Sequence, residues 1–152
     1  MNPPPAESAP YWLPFAIVGG FLIVFPTIWC FVVWLLSHMG GWQALTPRYA
    51  SGSRPVAGTR HSGLTGMVGG VSYRSTLTAH LDTDGFFIEV MPLFKIGHPR
   101  LFIPWPDISD RKQRQVLWWK AEVLSIGQPV ITTIALPSAL LEAQDLSAGR
   151  AA

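Results

Sequence analysis

The sequence predicts a membrane-anchored α+β protein: one N-terminal transmembrane helix, then a small antiparallel β-rich domain that ends in a helix. Three observations predict it. Residues 13–36, LPFAIVGGFLIVFPTIWCFVVWLL, carry no charged side chain. From Ser72 onward, apolar and polar residues alternate in short runs separated by Asp, Gly and Pro, the period of half-buried strands. The last run leads into PSALLEAQDL, which has the composition of a short amphipathic helix with Ser138 in the N-cap position.

The apolar run organises the rest. At about 1.5 Å per residue it makes a helix of roughly 36 Å, enough to cross a hydrocarbon core of about 30 Å with some tilt. A lone span must be helical, because only a helix satisfies its own backbone groups in lipid. Tyr11 and Trp12 at one end, and Trp34 and Trp42 at the other, are the expected interface anchors, since amphipathic rings favour the headgroup region. Pro14 falls in the first turn, where its missing N–H costs nothing. Pro26 lies mid-span and is expected to kink the helix. Ala16 and Gly20 form a small-xxx-small pair, a weak self-association signal. The opening MNPPPAESAP holds four prolines and no basic residue, so residues 1–10 read as an extended tail. A cleaved signal peptide, with its basic start, shorter apolar core and small-x-small site, is not the expectation.

Charge sets the orientation. Of the 152 residues only 13% are charged and the net charge is +2, too little to argue for nucleic acid. All 11 Lys and Arg residues lie after the span, and Arg48 and Arg54 follow it closely. Basic residues within about 20 positions of a span favour the cytoplasmic side. The expected placement is the inner membrane, crossed once, with the N-terminus outside and the large C-terminal part in the cytoplasm. The single cysteine, Cys30, sits in the span, which excludes a disulfide framework or a multi-cysteine metal site within one chain.

Past the span, transmembrane segment 11–37 gives way to a juxtamembrane stretch and a glycine-rich linker, 38–66. Trp42, Leu45 and Tyr49 fit one helical face, limited by Pro47. Residues 51–70 hold six glycines among Ser, Thr and Pro, a linker composition. The β-rich domain is expected over 67–146. SYRSTLTAHL alternates, Asp82-Thr83-Asp84-Gly85 is a turn, and FFIEVM returns. RLFIPW follows Gly97-His98-Pro99. PDISDRKQRQ reads as a polar connection, VLWWKAEVL and PVITTIAL as strands, and residues 147–152 as a fraying tail. In VLWWKAEVL the expected core face is Leu117, Trp119, Ala121 and Val123, with Trp118, Lys120 and Glu122 opposite.

Five or six antiparallel strands closed by a C-terminal helix resemble, over residues 67–146, the pleckstrin-homology and GRAM-like barrels. DGFFIEV and HPRLFIPWPDI are also similar to stretches of small single-span bacterial membrane proteins. The resemblance implies a PH-like barrel and a headgroup-binding role, and it carries no lipid-binding motif to this chain.

The search for chemistry returns little. A phosphate loop needs G-x-x-x-x-G-K-[ST], and no lysine precedes Lys95. His38, His61, His80 and His98 fall in four different elements without ligand spacing, and read as solvated or locally bonded. Asp82 with Asp84, and Asp107 with Asp110, are explained by turn chemistry. Ser62 in H-S-G lacks the G-x-S-x-G context. No catalytic residue, metal site or cofactor is therefore expected. The densest basic cluster is Arg111, Lys112 and Arg114. With Trp118 it is the candidate contact for a headgroup or partner. The expected function is non-catalytic: a single-pass membrane protein whose cytoplasmic domain binds another membrane protein or a second copy of itself. The alternative is an anionic-headgroup module, and a small membrane-bound enzyme ranks third.

Overall fold

The computed structural model describes the backbone of residues 10–116 and 119–151 and the side chains of residues 10–115 and 119–146. The chain divides into two compact units, residues 1–32 and 33–152.

The first unit is the greater part of helix α1 (Leu13–Met39). The helix is continuous through Pro26. The Thr27 hydroxyl donates to the Ile23 carbonyl at 2.7 Å. Phe21 stacks on Phe25 and Phe25 on Trp29, pairs at i and i+4 that lie one above the other on a helix. Phe15 and Ile23 are 76% and 71% exposed, and their apolar neighbours are similarly open. The helix outlasts the apolar run by three residues, Ser37, His38 and Met39. The Ser37 hydroxyl bonds the Trp34 carbonyl, and His38 Nδ1 lies 2.9 Å from the same oxygen. Both contacts are made to one carbonyl a turn before the helix end, so the polar side chains fold back onto the helix backbone.

In the second unit, the end of α1 is followed by α2 (Trp42–Tyr49) and then seven strands. They are β1 (Thr59–Val68), β2 (Val71–Leu81), β3 (Gly85–Val90), β4 (Leu101–Pro104), β5 (Ile108–Val116), β6 (Trp119–Ile126) and β7 (Thr132–Pro137). Helix α3 (Ser138–Ala151) follows directly. The strands form one antiparallel sheet in the order β4-β3-β2-β1-β7-β6-β5, curled into a half-barrel. Two meanders, β1 to β4 and β5 to β7, are joined by a short seam in which Met67 faces Ala135 and Val68 faces Ile134. Register places Leu77 opposite Val90, Ala79 opposite Ile88 and Leu124 opposite Ile134. Those inward residues make one core with Trp42, Leu45 and Tyr49 of α2 and Leu140 and Leu141 of α3.

Two strands depart from the sequence reading. The segment expected to be linker through residue 66 contains β1, whose glycines fall where the pairing with β2 shifts register, around Gly63 and before Gly66. Glycine in a strand marks such bulges, so the composition that suggests a linker here belongs to a bulged strand. The polar connection expected at residues 106–115 is β5. Arg111 and Gln113 lie opposite Leu124 and Glu122 across the pair and reach Asp145 and Glu142 of α3, while residues 109–115 remain exposed to water.

The core face of β6 also differs from expectation. Leu124 and Ile126 enter the core and Glu122 is buried on that side, while Trp119 and Val123 are only half-buried. Ala121, on the outer side, is nonetheless buried. Leu117 and Trp118 lie outside the described residues. The reason for the reversal is Arg111, which forms a bidentate pair with Glu122 and a second pair with Asp145 of α3. A charge inside is tolerated when it is paired and hydrogen-bonded, so a carboxylate did not mark the water face.

Strand β3 reads FFIE because both its faces are covered. Phe86 and Ile88 belong to the core. Phe87 packs on Phe102 at 4.7 Å on the other side, beneath the Arg54 guanidinium, 3.7 Å from the Phe102 ring. Residues 50–58 are held there by Ser51, whose N–H and hydroxyl both donate to the Arg100 carbonyl.

Candidate functional site

Two features of the second unit bring polar side chains to cavities. The first is the foot of α1. Val33 and Ser37 are buried among the β-domain's residues. The chain then turns at Gly40 and Gly41 into α2. Gly41 has φ +70°, and a Cβ there would stand 2.6 Å from Thr132 Oγ1, so only glycine lets the helix junction meet the start of β7. On the other flank, Gln43 Nε2 donates to the Gly97 carbonyl at 2.5 Å.

Directly above lies a buried polar cluster. The Trp42 indole N–H donates to the Pro99 carbonyl at 2.9 Å. His98 is 2% exposed, with Nδ1 3.0 Å from the Ile96 carbonyl and Nε2 2.9 Å from the Tyr73 hydroxyl. A carbonyl only accepts, so Nδ1 carries the proton and Nε2 accepts from Tyr73. Burial lowers the His98 pKa and pushes Tyr73 up to about 12. Both groups are held neutral, which suits a structural pair that locks residues 91–99 against β2. A cavity of about 300 Å³ beside it is lined by Val33, Leu36, Val71, Phe94 and His98.

The second feature is an outer groove of about 840 Å³ where β1 and β7 diverge beyond their short seam. Arg74 and Lys120 line it, with the hydroxyl residues Thr65, Ser75 and Ser138 and the half-buried ring of Trp119. None of its lining residues is acidic. Among the described residues, neither Arg74 nor Lys120 is paired with a carboxylate. The first turn of α3 borders it, and N–H groups there lack intrahelical partners. Arg74 also lines the cavity beside Val33 and Leu36, so the groove opens next to the foot of α1. Such a lining favours an anionic group carried on a small apolar body.

The residues singled out from sequence are dispersed. Tyr11 and Trp12 are exposed at the start of α1, and Trp34 is exposed near its end. Trp42 is not an interface residue: it is fully buried, because the chain turns back at Gly41 and carries its ring into the core. Arg111 is engaged by Glu122 and Asp145, which raises its pKa. Lys112 pairs with Asp110 at 2.5 Å, lowering that carboxyl's pKa. Arg114 is exposed on β5, and Trp118 lies outside the described residues. The basic cluster is thus largely consumed by its own acids. The sequence reading missed Arg74 and Lys120, 46 positions apart, which only the β1–β7 seam brings to one groove. It also missed the Tyr73–His98 pair, for which the sole local signal is a histidine beside Gly97 and Pro99 in a turn. Among the described residues, no three His, Cys, Asp or Glu side chains gather as a metal site would need. Comparison of the chain with protein-family models, curated proteins and solved structures gave no match.

Proposed function

We propose that this is a non-catalytic, single-pass inner-membrane protein whose β-domain is a binding module at the cytoplasmic surface, with the N-terminus outside. The observation that carries the reading is α1. It is a 27-residue helix without a charge before His38, exposing large apolar residues from Leu13 through Val32. A contiguous apolar surface on a water-soluble protein rarely exceeds a few hundred Å², and lipid is the medium that such a helix fits. The partner is another membrane protein or a second copy of the chain. Alkaline carbonate extraction tests the anchor: the protein should stay with the membrane pellet, and release into the supernatant would refute it. Reporters fused after Ala152 test orientation: a cytoplasmic reporter should be active and a periplasm-only reporter silent.

A second reading is favoured by the groove. Arg74 and Lys120, beside hydroxyls and the start of α3, suit the phosphate of an anionic headgroup, in keeping with the resemblance to PH-like barrels. The reconstituted protein carrying Arg74→Glu with Lys120→Glu should lose any preference for phosphatidylglycerol over phosphatidylcholine vesicles. An unchanged preference would move the contact elsewhere.

A further inference from the structure

We propose that two turns flanking the foot of α1 seat the β-domain on the lipid surface, placing apolar side chains in the headgroup–acyl boundary of the bilayer. The inference rests on the reading of α1 as a transmembrane helix. The first turn is residues 91–97, MPLFKIG, between β3 and β4. Met91, Leu93 and Ile96 are 45%, 63% and 45% exposed. It is fixed to the foot of α1: Gly97 has φ +72°, and a Cβ there would come 2.5 Å from Ser37 Oγ. The second turn is residues 127–131, GQPVI, between β6 and β7, where Val130 and Ile131 are 54% and 37% exposed. Its position follows from the contact of Gly41 with Thr132.

Both turns therefore border residues 37–43, where the chain passes from apolar to polar sequence. Their charge pattern fits the same layer. No acidic residue occurs from Val90 to Trp105 or from Val123 to Leu141. Lys95 is the one charge in the two turns, and a lysine stem can lie along apolar surface while its ammonium reaches phosphate oxygens. The far end of β2, eleven residues long, has the opposite character: its turn holds Asp82 and Asp84. Residues 91–97 and the turn at residues 82–85 lie at opposite ends of β3, the first suited to the membrane and the second to water, while Asp107, whose carbonyl accepts the Gly127 N–H, has its carboxylate engaged by Arg48 and the Tyr49 hydroxyl.

The test uses the full chain with Cys30→Ala, reconstituted into phosphatidylcholine–phosphatidylglycerol vesicles. A single environment-sensitive fluorophore is placed through Leu93→Cys, Val130→Cys, Ile23→Cys or Thr83→Cys. Lipids bearing a nitroxide on the upper acyl chain serve as quencher. Labels at positions 93, 130 and 23 should lose emission and the label at 83 should not. If position 23 is quenched while 93 and 130 behave like 83, the seating surface is refuted and the anchor stands. If position 23 is not quenched, the anchor itself fails and the seating surface falls with it.

Discussion

The Tyr73 hydroxyl and Nε2 of His98, 2.9 Å apart, join the start of β2 to the turn that precedes β4. The pair is walled by Trp42, whose ring stands edge-on to the imidazole at 5.1 Å. With Nδ1 committed to the Ile96 carbonyl, the neutral imidazole of His98, which burial favours, accepts at Nε2 from the Tyr73 hydroxyl.

Stability should therefore depend on pH with a definite sign. The folded-state pKa of His98 lies below its ordinary 6.5, through burial. In the window between the two values the unfolded chain binds the extra proton, so unfolding is favoured as pH falls. The His98 contribution is complete above about pH 6.5 and is lost as pH drops below it. Denaturation of the detergent-solubilised chain at pH 7.5 and pH 5.5 should show the lower midpoint at pH 5.5, and His98→Gln should flatten this part of the difference.

Tyr73→Phe removes the donor and leaves a buried acceptor without its partner. The expected loss is about 1–3 kcal/mol, read as a lower midpoint with unchanged denaturant slope. A neutral outcome would mean that water replaces the hydroxyl.

Arg111 and Lys112 are neighbours with unequal roles. Arg111→Ala strands Glu122, which is 5% exposed, and frees Asp145 of α3. A loss of about 1–3 kcal/mol is expected, and Arg111→Leu with Glu122→Leu should recover much of it. Lys112 pairs with Asp110 at the surface, and exposed pairs are worth about 0–1 kcal/mol, so Lys112→Ala should be nearly silent. Thermal melts of the three variants separate these outcomes.

The tryptophans divide in the same way. Trp42 is fully enclosed and bonded to Pro99, and Trp42→Ala should cost about 3–5 kcal/mol. Trp119 is half-buried at the wall of the groove, and Trp119→Ala should cost about 1 kcal/mol. Equal losses would place Trp119 in the core after all.

Much of the second unit was legible because local patterns and burial agree in it. The alternation in β2, the Asp-rich turn before β3 and the apolar run of β7 each follow a rule that holds within a few residues. The helix from Leu13 and the helix from Ser138 were likewise written in composition and caps. The rules failed where the partner of a residue was distant. Gly63 and Gly66 mark bulges in β1 rather than a linker, because β2 and β7 pair with that strand. Glu122 is buried on β6 beside Arg111 of β5, where α3 brings Asp145 to the same guanidinium. The place of Trp42 after the span points to lipid, yet the turn at Gly41 sends it into the core.

By itself, then, the sequence determined that this chain has one helix long and apolar enough to cross a membrane, followed by an α+β arrangement of antiparallel strands ending in a helix. Those properties depend on periodicity, length and the absence of charge over neighbouring residues. Only the tertiary structure decided that the described residues hold seven strands, that a carboxylate is buried, and that Arg74 and Lys120 share a groove beside the foot of α1. The physical reason is that burial and electrostatic partnership are properties of pairs. The members of these pairs are Arg111 with Asp145, Tyr73 with His98 and Gly41 with Thr132, which lie far apart along the chain and meet only when the sheet curls.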